Sequence, residues 1–181
     1  MYEVEMKFPV SSFDAFVIAV EQLGGRFGEE ETQRDRYFNH PSRDFGETDE
    51  ALRVRTIGDH SKVTYKGPAK DPVVKVREEI ELQVGQNAAD GQQFAEMLTA
   101  LSFREVRTVT KYRRTAQLNR DGRLFELTLD RVDELGLFVE VETLADKMSA
   151  QAARDAVLEL SGQLGLQDSE RRSYLQMLLE Q

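Results

Sequence analysis

The chain has no cysteine and no tryptophan, and only two histidines in 181 residues. Without cysteine there are no disulfides, no cysteine-based zinc sites and no thiol nucleophile. His40 and His60 are too far apart in the sequence to form a metal-binding motif, and both read as loop residues. No run of about 18 apolar residues is present, and no apolar leader precedes the first charged strand. This reading gives a soluble, cytoplasmic protein with no membrane span. Positive charge is also short, for the net charge is −9. Bulk attraction to nucleic acid is therefore excluded, and any bound anion needs a local basic site. Neither a P-loop nor a G-x-G-x-x-G pattern occurs, so neither common glycine-rich phosphate cradle is available.

Charge of both signs is abundant, at 31% of the residues against 40% hydrophobic. Its placement is regular. In Tyr2-Glu3-Val4-Glu5-Met6-Lys7-Phe8, strand alternation puts Glu3, Glu5 and Lys7 on one face and the apolar residues on the other. The pattern recurs. Arg53 and Arg55 are two apart, as are Arg77, Glu79 and Glu81, then Lys111 and Arg113, then Glu140 and Glu142. Lys66 and Asp130 stand near the ends of their own strands. Further strands are expected at 32–38, 51–57, 62–66, 73–84, 104–118, 123–131 and 136–143.

Three amphipathic helices punctuate this series. Ser11-Ser12 caps one with Phe13, Phe16, Val17, Val20 and Leu23 on its stripe, ended by Gly24-Gly25. Asp90 caps a second carrying Phe94, Met97, Leu98 and Leu101. A third runs over about 149–164 with Ala153, Ala156, Val157, Leu160 and Leu164. A short last helix from Ser169 carries Tyr174, Met177 and Leu178. The length suits a single domain over 1–181.

Helices with apolar stripes need apolar strand faces to pack on. If they cover those faces, the charged faces look inward, and the simplest closed solution is an α+β barrel with a charged interior and helices outside. Seven bases (Lys7, Arg53, Arg55, Lys66, Arg77, Lys111, Arg113) meet seven acids (Glu3, Glu5, Glu79, Glu81, Asp130, Glu140, Glu142). A purely structural reading lets them neutralise one another as salt bridges. A functional reading uses Lys and Arg to grip phosphate oxygens and carboxylates to hold divalent cations that bridge phosphates.

The ordered motifs resemble one family. Glu3-x-Glu5-x-Lys7 is similar to the E-x-E-x-K signature of the CYTH superfamily, the triphosphate tunnel metalloenzymes. Tyr37-Phe38-Asn39-His40-Pro41, Ala51-Leu52-Arg53-Val54-Arg55, Tyr65-Lys66-Gly67-Pro68 and Arg77-x-Glu79-x-Glu81 follow in the family's order. So do Lys111-x-Arg113, Leu129-Asp130, Leu135-Gly136-x-Phe138-x-Glu140-x-Glu142 and Arg172-Ser173-Tyr174-Leu175. The class IV adenylyl cyclase branch is the most similar.

The resemblance implies a closed eight-stranded antiparallel barrel forming a tunnel, often as a homodimer. It implies Mg2+ or Mn2+ and a bound ATP or other triphosphate. Carried over by motif, Glu3, Glu5, Glu140 and Glu142 are metal candidates. Lys7, Arg53, Arg55, Lys66, Lys111 and Arg113 would bind phosphates. Glu3, Glu5, Lys7, Lys111 and Asp130 are the catalytic candidates, and Arg77, Glu79, Glu81 and Asp130 support the site. Adenylyl cyclase is the first activity implied. A triphosphatase acting on tripolyphosphate, nucleoside or thiamine triphosphate is the second, and a triphosphate or polyphosphate binder without turnover is the third.

Overall fold

The computed structural model describes residues 2–69 and 74–181. Eight strands close into a barrel: β1 (Tyr2–Val10), β2 (Glu31–Asn39), β3 (Ala51–Ile57), β4 (His60–Lys66), β5 (Lys75–Gln83), β6 (Arg104–Arg120), β7 (Arg123–Val132) and β8 (Gly136–Ala145). Around the barrel they run β1-β5-β4-β3-β2-β6-β7-β8, and β8 returns to β1. Every pairing is antiparallel. The expected α+β class, the closed barrel and the outer helices are all present.

Closure follows from the alternation. Val4, Met6 and Phe8 point outward into a buried cluster with Leu127, Leu129, Val139 and Val141 of the neighbouring strands. Helix α1 (Asp14–Gln22) adds Phe16 and Val20, and α3 (Ala150–Gln163) adds Ala153, Val157 and Leu160. The opposite faces of the same strands carry the charges. A one-residue slip in any strand would exchange the two sets, so register is fixed by the apolar face. A second cluster of Phe38, Val54, Ala95 and Leu98 seats α2 (Ala88–Ala100) on β3. A third, of Tyr37, Val109, Val132, Phe138, Tyr174 and Leu178, fastens α4 (Tyr174–Leu179) to the barrel.

Several helix boundaries differ from expectation, each for a local reason. At α1 the cap position is Phe13, while the Ser12 hydroxyl accepts the Asp14 N–H at 3.1 Å one step earlier. Asp90 does not cap α2. Asn87 does, accepting the Asp90 N–H at 3.2 Å, while the Asp90 carboxylate accepts the Asn87 N–H at 3.2 Å. That reciprocal arrangement is a capping box. The last helix likewise begins after Ser173 and not Ser169, with Gln176 completing the reciprocal bond at 2.8 Å. Pro9 extends β1 beyond Phe8, and His60 opens β4 instead of lying in a turn. The expected strand 73–84 is observed over Lys75–Gln83, and residue 73 lies outside the described residues.

The packing face of α2 also differs. Met97 and Leu101 are exposed, and the buried residues are Gly91, Ala95 and Leu98. Small residues on that side let the helix backbone approach the barrel closely. A Cβ on Gly91 would stand 2.1 Å from Ser61 Oγ and 2.5 Å from Ser61 Cβ on β4. Helix propensity alone would make Gly91→Ala stabilising by about 1 kcal/mol. Overpacking reverses the sign, and Gly91→Ala is expected to lower the unfolding free energy by about 1–3 kcal/mol, measured by urea denaturation.

Candidate functional site

Inward-facing residues of all eight strands, with Ser173 and Tyr174 from the start of α4, line one cavity of about 730 Å³ along the barrel. Strand register sorts its charges. Glu5 on β1 lies opposite Glu142 on β8, and Lys7 lies opposite Glu140. Carboxylate oxygens of Glu3, Glu5 and Glu142 all fall within 4.8 Å of one another. Glu126 of β7 stands opposite Glu142 on its other side. One wall is thus acidic and oxygen-rich, a donor set suited to a hard divalent cation.

Arg53 and Arg55 on β3 and Lys111 and Arg113 on β6 occupy the facing wall, oriented by buried acids. Asp35 on β2 lies directly opposite Arg55 on β3 and accepts Nε and Nη2 hydrogen bonds at 2.6 and 2.7 Å. Arg53 Nη1 is 3.5 Å from the same carboxylate. Asp130 on β7 lies opposite Arg113 on β6 and accepts its two bonds at 2.6 and 2.5 Å. It also accepts Lys111 Nζ at 3.3 Å and the Tyr174 hydroxyl at 2.9 Å. Such bidentate pairs hold a guanidinium in a fixed plane. Arg113 reaches Glu140 as well, so Glu140 belongs to the basic wall and not to the acidic triad. The Lys7 ammonium sits 4.1 Å from the centre of the Tyr174 ring and donates to the Arg172 carbonyl at 2.5 Å.

The candidates read from alternation therefore sort into three groups. Glu3, Glu5, Lys7, Arg53, Arg55, Glu79, Glu81, Lys111, Arg113, Glu140 and Glu142 border the cavity. Asp130 is fully buried behind Arg113 and holds it in place. Lys66 and Arg77 sit beside the cavity: Lys66 is ion-paired to Glu3 and lies 3.3 Å from Glu79, while Arg77 is turned to Asp49 at 2.5 Å.

Asp35, Lys75, Gln33 and Glu126 also face inward, although none of them is among the candidates from the sequence. Their alternation with neighbours that were recognised is a usable signal. Lys75 is in phase with Arg77, and Asp35 with Tyr37. Tyr174 carried no such signal, because it arrives from a helix and not from a strand.

Burial and pairing shift the titration of these groups. Burial by itself raises the Glu3 carboxyl, but the Lys66 ammonium and the Arg53 guanidinium bring it down to about 2. Asp35 is likewise held low, because Arg55 and Arg53 outweigh its burial. Glu142 goes the other way: burial, then the negative charges of Glu3 and Glu5, push it well above the usual carboxylate range. Glu79 is raised by burial and by Glu3. Burial lowers Lys7 to about 8, with the Lys75 charge adding to it. Burial and the Arg113 charge lower Lys111 to about 8.

The family model for the CYTH domain matches residues 1–174. The chain belongs to the CYTH domain family. A Methanocaldococcus jannaschii protein bearing an adenylate cyclase name is 34% identical over 180 residues, covering 98% of each chain. The Aeromonas hydrophila protein named Adenylate cyclase CyaB is 28% identical over 96% of this chain and 86% of its own. The structure of PH1819 from Pyrococcus horikoshii OT3 superposes with a TM-score of 0.85 at 37% identity, covering 98% of both chains. Among the described residues no helix is long and apolar enough to cross a membrane.

Two expectations follow from the basic wall. Asp130→Asn leaves Arg113 and Lys111 buried with reduced compensation, and should cost about 3–5 kcal/mol of stability in urea denaturation. The second concerns protons. With both lysines near 8, their ammoniums are largely deprotonated at pH 9 and protonated below pH 7. A polyvalent anion favours the charged forms, so binding at pH 8–9 takes up protons and binding below pH 7 does not. Calorimetric titration with inorganic tripolyphosphate in two buffers of different ionisation enthalpy reads this uptake, and affinity should fall as pH rises past 8.

Proposed function

We propose that the chain is a divalent-metal-dependent enzyme acting on a triphosphate, and within that class an adenylyl cyclase that converts ATP to cyclic AMP and pyrophosphate. The observation that carries the reading is the division of one tunnel into two walls. Three carboxylates converge within 4.8 Å on β1 and β8, across from Arg55, Lys111 and Arg113, which acids behind or beside them hold in place. Family membership supports triphosphate processing, and the cyclase names of the archaeal and bacterial relatives support the narrower activity.

The acidic triad fits Mg2+ or Mn2+. Its donors are all carboxylate oxygens, and burial, with repulsion from Glu3 and Glu5 added to it, holds Glu142 well above the usual carboxylate range, a condition that a cation relieves. When bound, such an ion supplies Lewis acidity toward phosphate oxygens and toward an attacking hydroxyl.

The chain's own residues do the rest. Lys7, Arg55, Lys111 and Arg113, all buried, bind the phosphates and offset their charge. In the cyclase reaction the ribose 3′-oxygen forms a bond to the α-phosphorus and loses its proton. The bond from that phosphorus to the bridging oxygen breaks, and pyrophosphate leaves. Charge accumulates on the departing oxygens, where fixed guanidiniums stabilise it without reorganising. Asp35 and Asp130 act earlier, by holding those guanidiniums in plane before substrate arrives.

Product analysis tests the proposal. The purified protein is incubated with Mn2+ and, separately, with ATP, GTP, tripolyphosphate and thiamine triphosphate. Cyclic AMP with stoichiometric pyrophosphate is expected from ATP. Orthophosphate in its place would replace the cyclase with a triphosphatase, and retained binding without product would replace it with a non-catalytic binder. Glu5→Gln removes one charge from the triad at a half-buried position. It should reduce turnover at least about 100-fold while leaving the thermal midpoint within a few degrees.

A further inference from the structure

Lys7 is held differently from the other bases that line the tunnel. Arg53, Arg55, Lys62, Lys75, Lys111 and Arg113 each have a carboxylate oxygen within 3.8 Å. Lys7 is 2% exposed, and among the described residues it makes no ion pair. Glu140 stands directly opposite it on β8, but Arg113 engages that carboxylate. The groups that meet the ammonium are neutral and come from the end of the chain. They are the Arg172 carbonyl at 2.5 Å and the face of the Tyr174 ring, its centre 4.1 Å away. The Glu170 N–H also bonds the Lys7 carbonyl at 2.7 Å. Tyr174 is itself fixed on two sides, by its hydroxyl bond to Asp130 at 2.9 Å and by Phe138 edge-on at 5.1 Å.

We infer that Tyr174 is a positioning residue for phosphate binding: its ring holds the Lys7 ammonium out of contact with the tunnel's carboxylates, so that the phosphate chain meets it unneutralised. The inference rests on the triphosphate reading above and brings a helix residue into it. A buried ammonium costs several kcal/mol unless something replaces its water. A carboxylate would do so, but an incoming phosphate would then have to break that pair. A ring face attracts an ammonium by about 0.5–2 kcal/mol and leaves its charge uncancelled. Glu5, Glu140 and Glu170 all act on Lys7 at longer range, with Lys75 opposing them. Without the ring, the ammonium is free to turn to one of these acids. The Lys111 ammonium lies farther from the same ring, at 5.4 Å, and already has Asp130.

Changing the ring's charge without changing its shape tests this. The reference is Tyr174→Phe, which keeps the ring and drops the hydroxyl. Its counterpart carries pentafluorophenylalanine at the same position, which reverses the charge on the ring face at nearly constant volume. Both, with the wild type, are titrated with inorganic tripolyphosphate and Mg2+. Affinity should be at least about tenfold weaker with the fluorinated ring than with the phenyl ring. In a Lys7→Met background the two rings should agree within about twofold, because the ring acts through Lys7. Equal affinities with Lys7 present overturn the inference, since a ring that only fills space is indifferent to fluorination. A difference that persists without Lys7 overturns it as well. Loss of binding already in Tyr174→Phe would assign the role to the hydroxyl and Asp130, against the inference, with the triphosphate reading left standing. If the wild type does not bind tripolyphosphate, the triphosphate reading falls and the inference falls with it.

Discussion

Everything in this protein depends on keeping charges inside a closed barrel. Burying an ion costs several kcal/mol unless partners replace its water. Most of the interior meets that condition by pairing across neighbouring strands, Asp35 with Arg55, Asp130 with Arg113 and Glu79 with Lys66, while Lys66 also reaches past β5 to Glu3. Pairing does not extend to the whole set. Glu5 and Glu142 are cross-strand neighbours of like sign, and Glu126 stands on the other flank of Glu142. Like charges placed opposite one another destabilise a sheet. A barrel held together only by internal salt bridges would not place them so. The cross-strand pairing of like acids falls on one wall, where a cation would reverse its sign. That localised cost marks a binding site more clearly than the salt bridges around it do.

The barrel itself was legible because its interior is unusual. In an ordinary sheet, alternation of apolar and charged residues leaves open which face is wet. Here the recurrence of the pattern in β1, β3, β5, β6 and β8, with helical stripes that need apolar partners, leaves few arrangements but closure. The site was legible for the same reason: any residue in phase with Glu3, Arg55 or Glu140 points inward. What alternation does not convey is depth and pairing. Asp130 and Glu140 look equivalent to Glu5 and Glu142 in the sequence, yet Arg113 draws the first two into the basic wall. Helix ends were less legible, since Asn87 and Ser173 compete with nearby Asp90 and Ser169 for the cap. Only three-dimensional context decided which side chain met a free N–H.

Tyr174 shows how a site built on strands depends on a helix. Its hydroxyl bonds Asp130, its ring underlies the Lys7 ammonium, and Phe138 packs edge-on against it at 5.1 Å. A ring face stabilises an ammonium at little desolvation cost compared with a second carboxylate. Lys7 is thereby held without a full neutralising partner, and burial keeps its pKa near 8. A lysine in that condition retains attraction for an incoming anion that a tight ion pair would already have spent.

The same pairing also specifies the fold. Asp35 opposes Arg55 and Asp130 opposes Arg113 in the native register alone. A one-residue slip turns every inward residue outward. On β1 it would drive Glu3, Glu5 and Lys7 into the cluster around Phe16 and Val157, and expose Val4, Met6 and Phe8 to the polar interior. Both halves of that exchange are unfavourable, by transfer of charge on one side and loss of apolar burial on the other. The charges of the site therefore act as negative selectors against misregistered strands as well as ligands. A mutation that neutralises one of them weakens two constraints together, and the proposed role of Glu5 is best tested by substitution because its single ion pair, to Lys75, is a long one at 3.8 Å.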